Sequence, residues 1–416
     1  MDRRVVVTGL GVVTPIGVGV EPFWAAAREG RSGTGRPTLV KLREGAGELP
    51  IGVVGEVKDF DPVAQMTKKL VVRSDRNTHF AFAACAEALA DAGIDMSNED
   101  KARVGIVLAS NYGGLNYYLD NLVRLHQKGP SFVSAYMAIA YIPSAPVGQL
   151  SIFHNVAGYT KTIINDAAGG TDAIGAAYRT IKRGDADLIL AGGFEAALAE
   201  ASLAAMNMFG DICKDAPDPT KAQRPFNTER NGMVIAEGGG IVVLEDYERA
   251  KARGAKIYAE VVGFGQTSDA VSLHSFATDG VQYARAMTQA LDRAGLSPND
   301  IDYVNADGRG VAEADRAEAT ALGLVFGDRI DSVPVSAPRS MMGNPLAGAG
   351  PIDLAFIALA MRDSILPPTI NLTEQDPACR LTLVTTIGQA ANVDVALLCS
   401  RGATGVNAAL ALRKVH

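Results

Sequence analysis

Two stretches far apart along the chain carry the same pattern of apolar and polar positions. Residues 87–94 read EALADAGI and residues 289–296 read QALDRAGL. In both, apolar positions recur at helical spacing, and a glycine stands where a left-handed C-cap ends a helix. Each is followed by a polar turn, DMSNED or SPNDID, and then by an apolar strand. The starts of the two halves match as well. VVVTGLG at 5–11 and VVGFG at 261–265 are strand-like runs that close in a Gly-x-Gly turn. Residues 187–191 (DLILA) and 394–398 (DVALL) add a pair of buried-strand candidates, each with a glycine-bearing turn after it.

Helices alternating with apolar strands predict an α/β layered fold. The repeat within it predicts two similar halves, 1–255 and 256–416. The first half is longer and should carry insertions at about 112–165 and 200–232. No low-complexity linker separates the halves, so they are expected to share an interface and act as one body.

Composition narrows the picture by exclusion. A chain of 416 residues can bury a large core without disulfides or metals. A net charge of -7 disfavours nucleic acid and anionic membrane as partners. No apolar stretch is long enough to span a bilayer. The opening VVVTGLGVVTPIGVGV is interrupted by Pro15 and shows no clear cleavage site, so it reads as strand and turn rather than signal peptide, and the expected location is the cytoplasm. Cys85, Cys213, Cys379 and Cys399 lack metal or redox spacing, and Cys85 and Cys399 are expected in the core. His79, His126, His154, His274 and His416 are scattered, so neither a metal nor a cofactor is expected.

Two segments look like chemistry. Gly9-Leu10-Gly11 lacks the later glycine and the acidic ribose partner of a dinucleotide fingerprint. NDAAGGTDAIG at 165–175 is more informative: a strand-like run at 160–164 meets small residues and then a helix-like run. Such an elbow often presents a nucleophile near helix N-terminal amides, yet neither serine nor cysteine stands here. Close helix–sheet packing explains the same residues.

The chain is similar to the ketosynthase family over nearly its whole length. VVVTGLGVVTPIG resembles that family's first strand and turn, and AAGGTDAIG its nucleophile elbow. Arg224-Pro225-Phe226, Arg230-Asn231-Gly232 and Ala236-Glu237-Gly238 resemble its RPF, RDG and GEG stretch. SMMG at 340–343 resembles the lysine–histidine loop, and RGATGVN at 401–407 the C-terminal glycine loop. The resemblance implies a thiolase fold: two similar βαβ-type halves in a five-layered α-β-α-β-α body.

The departures from the family are specific. Active members carry a cysteine where this chain has Ala167, whose methyl group cannot attack a thioester. Asp307 and Asn344 stand at the two histidine positions. A carboxylate repels the malonyl carboxylate and the enolate, and an amide cannot exchange a proton near neutral pH. Arg339 stands at the lysine position and keeps its charge. Three such changes imply a chain that is no enzyme on its own and that resembles the chain length factors of type II polyketide synthases. Ala168, Gly169, Gly170, Asp172 and Arg401 agree with that branch, whereas Ala167 stands where it usually has glutamine.

A chain length factor pairs with an active ketosynthase as a heterodimer, and a phosphopantetheinylated acyl carrier protein delivers the growing polyketide. Chain length is set by the volume of a tunnel at the shared interface. The resemblance places the tunnel helix after 111–114. Leu115, Tyr118 and Leu122 follow at i, i+3 and i+7 and are the expected gate, with a core stripe as the alternative. Tyr136, Met137 and Tyr141 lie in the apolar segment 134–143, expected to reach toward the partner. The strand at 160–164 is expected to pair across the dimer. Glu237 is expected to be structural, and Arg224 and Arg230 to pair with carboxylates, contact phosphopantetheine or face solvent. A decarboxylase or acyltransferase with displaced groups would need Ser336, Ser340 or Cys399 as nucleophile. A pure scaffold is the third reading.

Overall fold

The computed structural model describes residues 3–40, 49–208, 211–272 and 275–416; His274 lies outside them. The strands that build the main sheet are β1 (Val5–Thr14), β2 (Val104–Ala109), β3 (Thr160–Ile163), β4 (Leu188–Glu195), β5 (Gly238–Asp246), β6 (Ala259–Ser268), β7 (Tyr303–Asn305), β8 (Pro334–Ser336), β9 (Thr382–Leu383), β10 (Val395–Arg401) and β11 (Val406–Arg413). The helices that matter below are α1 (Arg76–Ala92), α2 (Leu115–Lys128), α3 (Met137–Tyr141), α4 (Ala145–His154), α5 (Gly169–Lys182), α6 (Val281–Ala294), α7 (Ala312–Phe326) and α8 (Ala349–Asp363).

The sheet is symmetric about one seam. Val5–Val7 of β1 pair antiparallel with 259–261 of β6. Outward from that seam run β1-β5-β4-β2-β3 on one side and β6-β11-β10-β7-β8-β9 on the other. The orientations repeat: two antiparallel pairings, then parallel ones, two on the first side and three on the second. The parallel strands need helical crossovers, and these supply the layers. Central helices α5 and α8 are buried along nearly their whole length, as helices between two sheet faces must be. α1 packs on β1 and β5, and α6 packs on β6 and β11.

The duplicated helices end as their sequences require. Gly93 and Gly295 are left-handed C-caps with φ of 64° and 63°. The Gly-x-Gly pairs, however, are not turns. Gly9 and Gly11 lie inside β1, and Gly263 and Gly265 inside β6. Positions i and i+2 of a strand share a face, and here each face meets a helix backbone. A Cβ on Gly11 would sit 2.0 Å from the Ala84 carbonyl oxygen, and one on Gly265 would sit 1.9 Å from that of Ala286. The glycines permit helix–sheet contact, once in each half.

The segment 112–165 folds into α2, α3 and α4 and ends in the edge strand β3. Its surface is apolar: Ile152 is 78% and Phe153 56% exposed, and Phe132, Ile139, Tyr141 and Ile142 are exposed beside them in sequence. Among the described residues, no helix is long and apolar enough to cross a membrane.

Candidate functional site

β3 leaves the sheet edge at Ile163, and a single 3-10 turn, Asp166–Ala168, leads into α5. Asp166 has φ of 49°, a left-handed conformation that costs a non-glycine residue energy and that the surrounding contacts must maintain. Its carboxylate accepts a hydrogen bond from the Ala403 amide. Ala167 follows, fully buried. The small residues after it are also a packing device. A Cβ on Gly170 would meet the Ala347 carbonyl oxygen at 2.6 Å, where α5 and the start of α8 converge. The close-packing reading of the elbow therefore holds.

Asp172 in the first turn of α5 is buried and accepts hydrogen bonds from Asn165 and Gln266. Burial pushes its carboxyl up to about 6.

Two of the other positions singled out in the sequence, Arg339 and Asp307, meet in the interior. Arg339 Nη2 donates to Asp307 Oδ1 at 2.6 Å, and Arg339 Nε lies 3.3 Å from Asp353 Oδ2. All three side chains are buried. Burial works against the Arg339 charge, but Asp353 and Asp307 outweigh it and raise its pKa further. Burial pushes Asp353 up to about 7 against the pull of Arg339. The Asp307 and Gly308 amides donate to Glu318 at 2.7 and 2.9 Å, and burial raises that carboxyl. Asp307 is thus an ion-pair partner rather than the isolated repulsive charge its sequence position suggests. The Asn344 side chain accepts from the Leu346 amide at 2.9 Å, and its Nδ2 has no partner among the described residues.

A cleft of about 600 Å³ opens in front of the elbow. Ile164, Met206, Ile212, Met233 and Leu346 give it apolar walls, and Asp166 and Arg309 bring opposite charges into it. Sequence reasoning passed over Arg309. The available signal was a large cation between two glycines, in a segment already matched to a catalytic loop.

The three expected gate residues share one helix face but meet different surroundings. Leu115 packs against the apolar cluster that includes Ile212, Met233 and Leu346, behind the cleft wall. Tyr118 stacks on Tyr141, with ring centroids 4.6 Å apart. Leu122 lines a separate groove of about 300 Å³ with Leu119, Val123 and His126. Tyr136 lies against the Arg73 guanidinium at 4.5 Å, Met137 opens α3, and Tyr141 is exposed.

The other candidates resolve into structure. Glu237 accepts from the Val57 amide and pairs with Arg76 at 2.8 Å. Arg230 is buried between Asp315 and Asp376, and Arg224 pairs with Glu229. Arg401 is buried against Asp269 at 2.6 Å. Ser336, Ser340, Cys85 and Cys399 are buried. Neither serine nor Cys399 is among the residues lining the cleft, and burial raises the Cys399 thiol well above its usual value.

Comparison with known proteins places this geometry. Residues 2–250 match the beta-ketoacyl synthase N-terminal domain and residues 258–373 the C-terminal domain. Relatives include "3-oxoacyl-[acyl-carrier-protein] synthase 2" of Staphylococcus aureus (strain N315), 35% identical over 99% of both chains. The protein of that name from Synechocystis is 37% identical over 99% of this chain and 98% of its own. A "putative polyketide beta-ketoacyl synthase 2" of Streptomyces halstedii is 40% identical over 99% of this chain and 97% of its own. Two solved structures superpose with a TM-score of 0.91 at 31% identity, each covering both chains completely. One is a type II polyketide synthase acyl carrier protein in complex with its ketosynthase bound to the hexaketide, and the other the ishigamide ketosynthase/chain length factor.

These relatives correct one expectation. Proteins named as synthases match the chain over its full length, which overturns the inference from Ala167, Asp307 and Asn344 that it is no enzyme on its own. Ala167, Asp307 and Asn344 are buried and are not among the residues that line the cleft. By its two domain matches and its full-length relatives, the chain belongs to the beta-ketoacyl synthase family.

Proposed function

We propose that this chain works in a type II polyketide synthase, pairing with an active ketosynthase as a heterodimer and setting polyketide length by shaping the tunnel between them. Its halves, 1–255 and 256–416, act as one body in this reading. A phosphopantetheinylated acyl carrier protein brings the chain to the pair. The observation that carries the reading is the elbow: the family's fold and a cleft are kept, while position 167 holds a fully buried methyl group and Arg339 and Asp307 close on each other as a buried ion pair. An acyl chain held on the partner's thiol then extends along walls that this chain supplies.

The surface supports the same reading. β3 is an edge strand whose backbone is open to pairing, and α4 beside it exposes Ile152 and Phe153. Apolar surface next to an unpaired edge is what an obligate interface buries. Tyr118 and Tyr141 sit at the contact of α2 with α3, where a chain reaching across the interface would end. Adding methylenes against closed packing costs about 1–3 kcal/mol, enough to shift product length by roughly tenfold per step.

The names of the relatives favour a second reading: condensing, decarboxylating or acyl-transfer activity in this chain's own cleft, using Asp166 and Arg309 in place of the usual groups. Two measurements separate the readings. Co-expression with a ketosynthase should give a heterodimer whose product length follows this chain when a homologue replaces it. Intact-mass analysis after incubation with malonyl or acetyl carrier protein should show no acyl adduct on this chain under the first reading. A stable adduct, or turnover by the isolated chain, supports the second. An unchanged product length after the swap points to a scaffold.

A further inference from the structure

Arg309 is 3% exposed yet lines the cleft. Its hydrogen-bonding is incomplete. Nη1 reaches the Arg401 carbonyl oxygen at 3.4 Å, and Nε has no partner among the described residues. Nη2 lies 4.0 Å from Asp166 Oδ2, too far for a hydrogen bond. The guanidinium carbon lies 5.1 Å from the centroid of the Phe276 ring, and Nη2 makes no hydrogen bond among the described residues. The neighbouring arginines differ: Arg339 and Arg401 each donate to a carboxylate at 2.6 Å.

We propose that Arg309 makes the cleft selective for acyl groups that carry a carbonyl oxygen along the chain, as in 3-oxoacyl groups, over saturated acyl groups of the same length. This deepens, and rests on, the reading of the cleft as an acyl site. An alkyl chain laid against Arg309 removes water from the two N–H donors of Nη2, which then have nothing to bond. A carbonyl oxygen satisfies them, and sites built around such a donor discriminate strongly against analogues that lack the acceptor. The favoured group is neutral because Asp166 already balances the Arg309 charge. A second carboxylate would place like charges in one recess, whereas a ketone adds none.

The test is equilibrium binding of 3-oxohexanoyl- and hexanoyl-pantetheine amides to the full-length chain, by calorimetry. The expected result is at least about tenfold tighter binding of the 3-oxo probe, with the ratio falling toward one in Arg309→Met through weaker 3-oxo and stronger saturated binding. Equal binding of the two probes by the unmodified chain overturns the proposal and leaves the cleft an acyl site. A preference that survives in a folded Arg309→Met overturns it as well. Binding of neither probe overturns both the proposal and the acyl-site reading. The unmodified-chain comparison decides the matter even where the variant does not fold.

Discussion

Arg339 and Asp307, 32 positions apart in sequence, meet at 2.6 Å in the buried centre of the site and close on each other. Their charges are spent on one another and on Asp353 rather than offered to the cleft. Asp307→Ala should therefore destabilise the fold by about 3–5 kcal/mol in chemical denaturation, because it leaves a buried cation short of a partner. Adding Arg339→Met should recover part of the loss. If the double variant is no more stable than the single one, the two residues are not acting as a pair.

Glu195 gives a pH dependence of definite sign. It is buried at the end of β4 and accepts from the Asn111 and Tyr112 amides at 3.0 and 3.1 Å. Burial pushes its carboxyl up to about 8 from 4.5, against the pull of those amides. Between these values the folded chain holds a proton that the unfolded chain has lost. Its contribution to stability therefore falls as pH rises through this window and is constant outside it. Glu195→Gln should show a weaker decline in denaturation midpoint from about pH 5 to about pH 8 than the parent. Parallel profiles would count against the buried-proton account.

The apolar edge makes a separate prediction. Phe153→Asp changes a side chain that is 56% exposed, so the chain alone should stay folded by circular dichroism. Association with the ketosynthase should weaken by tenfold or more, since aromatic anchors dominate such interfaces. Undiminished association by analytical ultracentrifugation would place the interface elsewhere.

A fourth prediction concerns the duplicated packing. Gly265→Ala drives a methyl group against the Ala286 backbone and should cost at least about 1–3 kcal/mol, as overpacking does. Gly295→Ala meets no atom within 4 Å, and its cost comes only from its left-handed φ. The larger loss should fall on Gly265→Ala in thermal unfolding.

The layered α/β fold was legible because helical periods and glycine caps recur in both halves, and those signals are local. The two Gly-x-Gly pairs were misplaced into turns because a strand glycine and a turn glycine look alike until the helix pressing on the strand is known. Spacing of i and i+2 was the clue that both face one way. At the site, the strand-to-helix elbow could be read from the run of small residues after an apolar strand. The Arg339–Asp307 pair could not, since nothing in a linear sequence says which buried charges meet. Leu115, Tyr118 and Leu122 do share a face, but helical phase gives no account of what each part of α2 packs against, and the three meet a core cluster, a tyrosine ring and an outer groove.

Product length from the reconstituted heterodimer tests the length-setting role most directly. Replacing Tyr118 with alanine removes one ring of the Tyr118–Tyr141 stack and, in the proposed reading, frees space where the growing chain would end. Mass spectrometry of the products should show chains extended by one or more units at comparable turnover. A distribution identical to the parent's, from a complex of the same size and activity, would contradict the account.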